Sequence, residues 1–472
     1  MSRAVPFTVQ DIVRATQGAL VAGDLGIPVT GVSIDSRSLA VGEAFFAIHG
    51  HRLDGHAFLG DAAARGAACL IVHTLPDEVP ANVPLVLVED TTRALGKLAA
   101  WHRARFAIPV VAVTGSNGKT TTKELTAGVL STRWEVLRPE RSFNNQWGLP
   151  LTLLKLSPEH QAVVLEIGSN ARGEVAMLAA LAAPTLAIVT TVAAVHTEYL
   201  GSLDGVREEK AGLVRALAAN GVAVLNADDA RVAGMARETR ARVVTYGRSG
   251  TAHVRATGDV VEDETGLTFT LEAGAERQPV VVGLAGRHNV SNALAAAAAG
   301  VALGLPLADV ARGLGGVRPV AGRCVWRRAG EVTILDDTYN ASPVSVRAAL
   351  DTVAERRHGR RVVVVLGDML ELGPISDEAH REVGRQVAAL PADELIGLGR
   401  ATQATVEAAR EAGLVKATHL TTFEDTVAHL LKRLSSGDVV LVKGSRGMRM
   451  ERVVDALVAR LARSGRERSD LG

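Results

Sequence analysis

An α/β protein of three units is the architecture that the sequence predicts, and three observations predict it. The chain has 472 residues, about three times the ~150 residues of a typical domain. Hydrophobic residues make up 47%, enough for several buried cores and too many for a disordered chain. Apolar strand-like runs alternate with helix-like segments throughout, the pattern of parallel sheets covered by helices. Aromatic residues are only 3%, so those cores must be built from Ala, Val, Leu and Ile.

The first unit, residues 1–105, is a small N-terminal α/β domain. Its strands are GVSID, EAFFAI, ACLIVH and PLVLVE, with a helix in LGDAAARGA. A second helix, DTTRALGKLAAWHRARF, leads out of it. The second unit, 106–318, opens with IPVVAVTG, an apolar run suited to a central parallel strand. AVVLEIG, LAIVTTV and VAVLNA continue that sheet. From Val254 to Val282 the residues alternate and turn signals intervene, so antiparallel strands are expected. The helix HNVSNALAAAAAGVAL follows and stops at LGLP. The third unit, 319–472, has its own strands (TILDD, RVVVVLGD, ELIGLG and DVVLVKG) separated by helices, which predicts a Rossmann-like doubly wound sheet.

Composition excludes several functions. Lys+Arg 52 against Asp+Glu 51 leaves a net charge of +1, which argues against nucleic-acid coating. An anionic substrate must then be held by local charges. Two cysteines, Cys69 and Cys324, cannot make a disulfide framework and fit a reducing cytoplasm. The first residues, MSRAVPFTVQDIVRATQG, lack the apolar run of a signal peptide. Val175 to Thr197 is uncharged and long enough to span a bilayer, but Pro184 divides it. A buried helix followed by a buried strand is the expectation, with no membrane insertion. The protein is expected to be a monomer.

The sharpest motif is TGSNGKTTT at Thr114–Thr122, between an apolar strand and the helix KELTAGVL. Backbone N–H groups of such a loop, with the helix dipole, favour phosphate. Gly115 and Gly118 let the backbone approach the anion. Ser116, Asn117, Thr121 and their neighbours complete the cradle, Lys119 can reach the terminal phosphates, and the Thr120 hydroxyl can ligate Mg²⁺. The spacing G-x-x-G-K-T is shorter than the usual nucleotide-loop pattern, so the strand–loop–helix setting carries the expectation of ATP. Glu166 ends the strand AVVLE, where a metal ligand is placed in an open parallel sheet. His196 follows the next strand, and Lys210 lies in REEKAGL. Taken alone, Glu166 is read equally as a ligand or a surface residue, His196 more often as a structural histidine, and Lys210 nearly always as a solvated helix charge.

Together these segments resemble the Mur ligases, ATP-dependent ligases of peptidoglycan precursor synthesis. DSR at Asp35–Arg37 and GHRLDGHAF at Gly50–Phe58 resemble the family's uridine-nucleotide-binding part; TGSNGKTTTKE resembles its ATP loop. SFNNQWGLPLTLL, GRHNVSNALAA and the Gly322-Arg323 pair match further family segments. LDDTYNASP, VLGDMLELG and VKGSRGMRME are similar to members that add D-alanyl-D-alanine to UDP-N-acetylmuramoyl-tripeptide. Another ligase of the superfamily, acting at the preceding step or of the polyglutamate type, is the alternative. One departure is the run Lys210-Ala211-Gly212, where the family has KGE.

The resemblance implies roles residue by residue. Lys119 would meet the β/γ-phosphates, Thr120 and Glu166 one Mg²⁺, and His196 with a carbamylated Lys210 a second. Asn289 would contact adenine, Asp337 the ribose, and Arg323 the γ-phosphate. Tyr339, Asn340, Lys443, Ser445 and Arg446 would serve the dipeptide side of the cleft. Asn144 and Asn145 would contact the substrate, and Ser36, Arg37 and His56 the uridine nucleotide.

Overall fold

The computed structural model describes residues 7–50, 53–78, 82–139, 142–390 and 392–469. Three large sheets organise these residues. The N-terminal sheet runs in space Ala19–Ala22, Leu85–Leu87, Cys69–Val72, Glu43–Phe46, Gly31–Ser33. Its last four strands are mutually parallel, and Ala19–Ala22 pairs antiparallel at the edge. The helix Thr91–Arg103 leaves it toward the next sheet.

The central sheet has nine strands. In spatial order they are Glu276–Val282, Gly266–Ala273, Val254–Asp263, Arg242–Gly247, Val222–Asn226, Leu186–Val189, Val110–Thr114, Ala162–Glu166 and Val136–Leu137. The strands from Val136 through Val254 pair in parallel, and the last two pairings are antiparallel, as the alternation of Val254–Val282 predicts. Pro184 falls between the helix Glu174–Ala182 and the strand Leu186–Val189, so the uncharged window is a buried helix and strand. Among the described residues no helix is long and apolar enough to cross a membrane.

Side chains alternate across the central strand Val110–Thr114, as the two-residue strand period requires. Val110 and Ala112 enter a core shared with the N-terminal unit through Leu95, Leu98 and Ala99 of its exit helix. Val111 and Val113 enter a second core on the opposite face. There the helices Lys119–Leu130 and His288–Ala302 cover the sheet, with Ala293 to Ala299 fully buried. Small side chains let these helices lie close on the strands.

The C-terminal sheet orders Val325–Ala329, Val332–Asp337, Val439–Lys443, Val362–Gly367, Glu394–Leu398 and Ala417–Leu420. All but the first strand are parallel. Helices cover both faces, through separate cores around Val346, Val383 and Val406 and around Leu430 and Val453. This is the doubly wound arrangement expected. In both parallel sheets the loops at the carboxyl ends are where ligands are held.

Candidate active site

The central strand Val110–Thr114 lies between Ala162–Glu166 and Leu186–Val189, with Glu166 opposite Val113 and Val189 opposite Thr114. Chain connections leave these strands in opposite directions, which opens a crevice at their carboxyl ends. The loop Gly115–Gly118 fills that crevice and starts the helix Lys119–Leu130. It is strapped to the neighbouring strand's exit. Ser116 N–H donates to the Thr191 carbonyl at 2.8 Å, the Ser116 hydroxyl to Ala193 at 3.0 Å, and the Thr190 hydroxyl to the Asn117 carbonyl at 2.6 Å. Gly115 (φ +141°) and Gly118 (φ +80°) adopt backbone that favours glycine. They also lack room: a Cβ would lie 1.9 Å from the Thr190 hydroxyl at the first and 2.2 Å from the Asn292 carbonyl oxygen at the second. Close packing, as well as anion approach, requires glycine there.

Lys119 is folded over this loop, its Nζ donating to the carbonyls of Gly115 (2.8 Å) and Ser116 (3.2 Å). Burial lowers its pKa, Glu166 opposes the shift and Arg323 adds to it. Thr120, at the start of the helix, donates its hydroxyl to Glu166 at 2.7 Å. Asn144 donates to the other Glu166 oxygen at 2.8 Å. Arg323 arrives from the C-terminal unit and donates to the Thr120 hydroxyl at 2.7 Å. Its Nε is buried and unpartnered, and its guanidinium lies 4.0 Å from the Tyr339 ring centre. The site thus holds a cationic side chain with a spare donor beside a hydroxyl and a carboxylate.

Thr121, Asn289 and Arg323 line one small cleft. Asn289 is fixed by its own amide, which donates to the Ala285 carbonyl at 2.7 Å, and its oxygen accepts from Asn292 at 2.7 Å. The C-terminal candidates are knit together. Asp337 accepts from Lys443 at 2.5 Å and from the Cys324 N–H at 3.1 Å. Lys443 also donates to the Asn340 carbonyl at 2.8 Å and is buried, so its ammonium organises the loop. Ser445 accepts from the Leu370 N–H at 2.8 Å. Arg446 is largely exposed, near the Tyr339 ring and paired with Glu451 at 3.2 Å. Asn145 accepts from the N–H groups of Trp147 and Gly148, which start the helix Gly148–Leu153, so its oxygen has a local task.

Lys210, on the helix Leu203–Arg215, is fully buried. Burial first, then the charge of Lys119, brings its pKa down to about 7. Its Nζ donates to the Ser169 hydroxyl at 2.7 Å. The adjacent Glu209 accepts from the Gly173 and Val175 N–H groups at the start of the helix Glu174–Ala182, so it is committed to backbone. At Gly212, where the run departs from KGE, a Cβ would make ordinary contact with Ala176 at 3.4 Å, and nothing in the structure explains the departure. His196 carries φ 53° and pairs through Nδ1 with Glu371 of the C-terminal unit. Burial and Lys119 lower its pKa, against Glu371. Glu371 had no expected role, although the VLGDMLELG segment contains it.

Donor chemistry at this crevice suits Mg²⁺. Among the described residues no three His, Cys, Asp or Glu side chains gather as a metal cluster. A hydroxyl, one carboxylate and phosphate oxygens are what Mg²⁺ takes.

The N-terminal candidates lie at the carboxyl edge of their own sheet. Ser36 is buried and Arg37 exposed. Arg37 donates to Asp35 at 2.9 and 2.7 Å, which lowers the Asp35 pKa to about 2. His56 pairs with Asp54 at 2.7 Å through Nδ1, accepts from the His73 N–H at 3.2 Å through Nε2, and stacks edge-on to His73. Trp147 of the central unit donates to the Thr92 hydroxyl at 3.0 Å, joining the two edges.

Three family models match the chain: the Mur ligase family catalytic domain at 28–103, the Mur ligase middle domain at 113–300, and the Mur ligase glutamate ligase domain at 322–446. The UDP-N-acetylmuramoyl-tripeptide–D-alanyl-D-alanine ligase of Escherichia coli is 36% identical, over 96% of this chain and 98% of its own. The ligase of the same name from Bacillus subtilis is 34% identical over the same shares. A crystal structure of MurF from Acinetobacter baumannii superposes with a TM-score of 0.90 at 31% identity, covering 97% of this chain and all of the other. MurF from Thermotoga maritima, solved with ADP, superposes at 0.81 and 28% identity, over 92% and 98%. The chain belongs to the Mur ligase family.

Proposed function

We propose that this protein is an ATP-dependent ligase that joins D-alanyl-D-alanine to UDP-N-acetylmuramoyl-tripeptide, completing the pentapeptide precursor of peptidoglycan. One observation carries the reading: Thr120, Glu166 and Arg323 converge on the loop that holds Lys119, in a chain similar along nearly its whole length to ligases of that name.

A free carboxylate is a poor acyl donor, since its leaving group would be oxide. Transfer of the ATP γ-phosphoryl group to it gives an acyl phosphate, from which the dipeptide amine displaces inorganic phosphate through a tetrahedral intermediate. Such transfer depends on positioning and charge neutralisation. The loop Gly115–Thr121 receives the phosphates through backbone N–H groups other than that of Ser116, which is bonded to Thr191, and Lys119 swings from its carbonyl partners to the β/γ-oxygens. Arg323 brings its spare donor to the γ-phosphate. Asn289 faces adenine, and Asp337, steadied by Lys443, holds the ribose. Thr120 and Glu166 would hold one Mg²⁺, and His196 with carbamylated Lys210 a second. The metal ions would neutralise phosphate charge and align the acyl oxygen.

Carbamylation suits Lys210 on two counts. An amine with pKa about 7 is substantially neutral at physiological pH, and only the neutral amine adds CO₂. The product is an anionic oxygen ligand, compatible with a cation where an ammonium is not. Arg323 and Asp337 lie outside the loop-bearing unit, so docking of the C-terminal unit completes the site and excludes water from the acyl phosphate. Tyr339, Asn340, Lys443, Ser445 and Arg446 form the dipeptide side, Asn144 and Asn145 adjoin the tripeptide, and Ser36, Arg37 and His56 bind the uridine nucleotide. The units are 1–105, 106–318 and 319–472. The sheets, at 19–87, 110–282 and 325–443, support these limits. The enzyme acts in the cytoplasm as a monomer; its two cysteines are free thiols.

Phosphate release tests the substrate assignment. Release is expected with the nucleotide tripeptide plus D-alanyl-D-alanine, and not with single amino acids. Faster release with a single amino acid than with the dipeptide would replace this reading with another ligase of the superfamily.

A further inference from the structure

Two loops meet where the central unit faces the C-terminal one. The first carries His196 at the start of the helix Thr197–Leu200. The second carries Glu371, after the strand Val362–Gly367 and before the helix Ser376–Ala389. Four contacts join them. The Glu371 carboxylate meets the His196 ring at Nδ1. The Glu198 N–H donates to the Glu371 carbonyl at 3.3 Å, and the Thr197 hydroxyl to the Leu372 carbonyl at 2.9 Å. Gly373 (φ +58°) packs so closely that a Cβ would lie 2.9 Å from the Glu198 Cα.

Left-handed backbone occurs on both sides of this contact. Among the described residues eight non-glycines have positive φ, and His196 (53°) and Glu371 (63°) are two of them, facing each other across the boundary. Such conformations persist only where the surroundings enforce them, and they gather at functional sites. Both loops are bent so that this carboxylate meets this ring.

We propose that Glu371 is a positioning residue for His196. A carboxylate that accepts from the ring puts the proton on Nδ1, and in the neutral imidazole the lone pair is then on Nε2. Among the described residues no hydrogen bond engages Nε2, which leaves that nitrogen for a ligand, and the charges of Lys119 and Lys210 act on the same ring. A carboxylate behind a metal-binding imidazole fixes its tautomer and orientation. Here the carboxylate belongs to a different unit from the ring, so docking of the C-terminal unit itself sets the histidine. The role rests on the placing of His196 on the metal side of the cleft.

The test is Mn²⁺ binding to the full-length protein in the presence of ADP, read by electron paramagnetic resonance, with kcat and KM for ATP measured alongside. Glu371→Ala is expected to weaken Mn²⁺ binding about tenfold and lower kcat about 10- to 100-fold, with KM for ATP changing less than about twofold. Glu371→Gln, whose amide oxygen still accepts from Nδ1, should recover to within about fivefold of wild type. Thr197→Val loosens the same clasp without touching the ring and should leave Mn²⁺ affinity unchanged. The proposal fails if Glu371→Ala keeps wild-type Mn²⁺ affinity, if the Gln variant is as impaired as Ala, or if Thr197→Val weakens binding as much as Glu371→Ala. Wild-type protein that takes up no Mn²⁺ with ADP would defeat the placing of His196 at the metal, and this role with it.

Discussion

At the carboxyl edge of the central sheet, Thr120 bonds Glu166, 46 residues on, and accepts from Arg323, 203 residues on. At the carboxyl edge of the N-terminal sheet, Arg37 bonds Asp35 and His56 bonds Asp54, each two residues back. The first set is held by tertiary neighbours from several strands and a second unit. The second set is held chiefly by its own turns, with His56 also accepting from the His73 N–H, 17 residues on. Phosphoryl transfer needs charges fixed before the substrate arrives, because reorganising them during the reaction adds to the barrier. Recognition of a nucleotide handle needs donors that can adjust to it. Substitutions at the first edge should therefore act on kcat, and those at the second on KM.

The largest effect should come from Lys119→Ala. Loss of the loop cation should lower kcat by about 10³-fold or more, read as phosphate release. An activity within tenfold of wild type would erase the contrast between the two edges. Arg323→Lys keeps a charge but loses the planar fork that donates to Thr120 and, in the proposed mechanism, to the γ-phosphate. A fall of about 10²- to 10³-fold in kcat is expected, with KM for the nucleotide tripeptide nearly constant.

Lys210→Ala should cost about 10²-fold in kcat, and short carboxylic acids should partly restore it by supplying the missing oxygen ligand. The same lysine gives a pH signature. Its folded pKa of about 7 lies well below the usual value for a lysine, so the neutral amine persists above pH 7 and is lost below it. A ¹³C carbamate resonance from labelled CO₂ should be present at pH 8 and fade as pH falls through about 7. The sign for stability is the same. Between about pH 7 and the ordinary lysine pKa the unfolded chain binds a proton that the folded one does not, so stability from this group rises with pH across that window.

Arg37→Ala should raise KM for the nucleotide tripeptide about tenfold, with kcat unchanged, measured in the same assay. A loss in kcat instead would show that the N-terminal edge is coupled to the chemistry. The smallest effect is expected at Asn145, whose oxygen serves the start of a helix. Asn145→Ala should cost about 1 kcal/mol of stability in denaturant unfolding, the usual scale for a lost cap.

Much of the active edge was legible because phosphate chemistry imposes a local pattern. A loop of glycines, one lysine and a hydroxyl between a strand and a helix can be read without knowing the fold, and Glu166 followed from its place at a strand end. Other features were not. The second reason for Gly115 and Gly118 lies in Thr190 and Asn292, far along the chain, and only packing brings them near. Lys443 carries its expected role from the resemblance alone; its burial and its bond to Asp337 have no local signal and appear only once the two strands pair. Asn145 shared a motif with Asn144, yet one begins a helix and the other holds Glu166. Glu371 sat in a segment already singled out, with nothing local to separate it from a surface glutamate.

By itself the sequence determined the α/β architecture, the parallel sheets and the glycine-rich loop between strand and helix. Strand period, helix period and glycine placement are short-range physics, written within a few residues of where they act. Tertiary structure alone decided that Lys210 is buried deeply enough to lose its charge near neutrality, that Arg323 reaches the loop, and that Glu371 sets His196. Those properties depend on desolvation and on charges supplied by residues tens to hundreds of positions away, and neither quantity exists until the chain is packed.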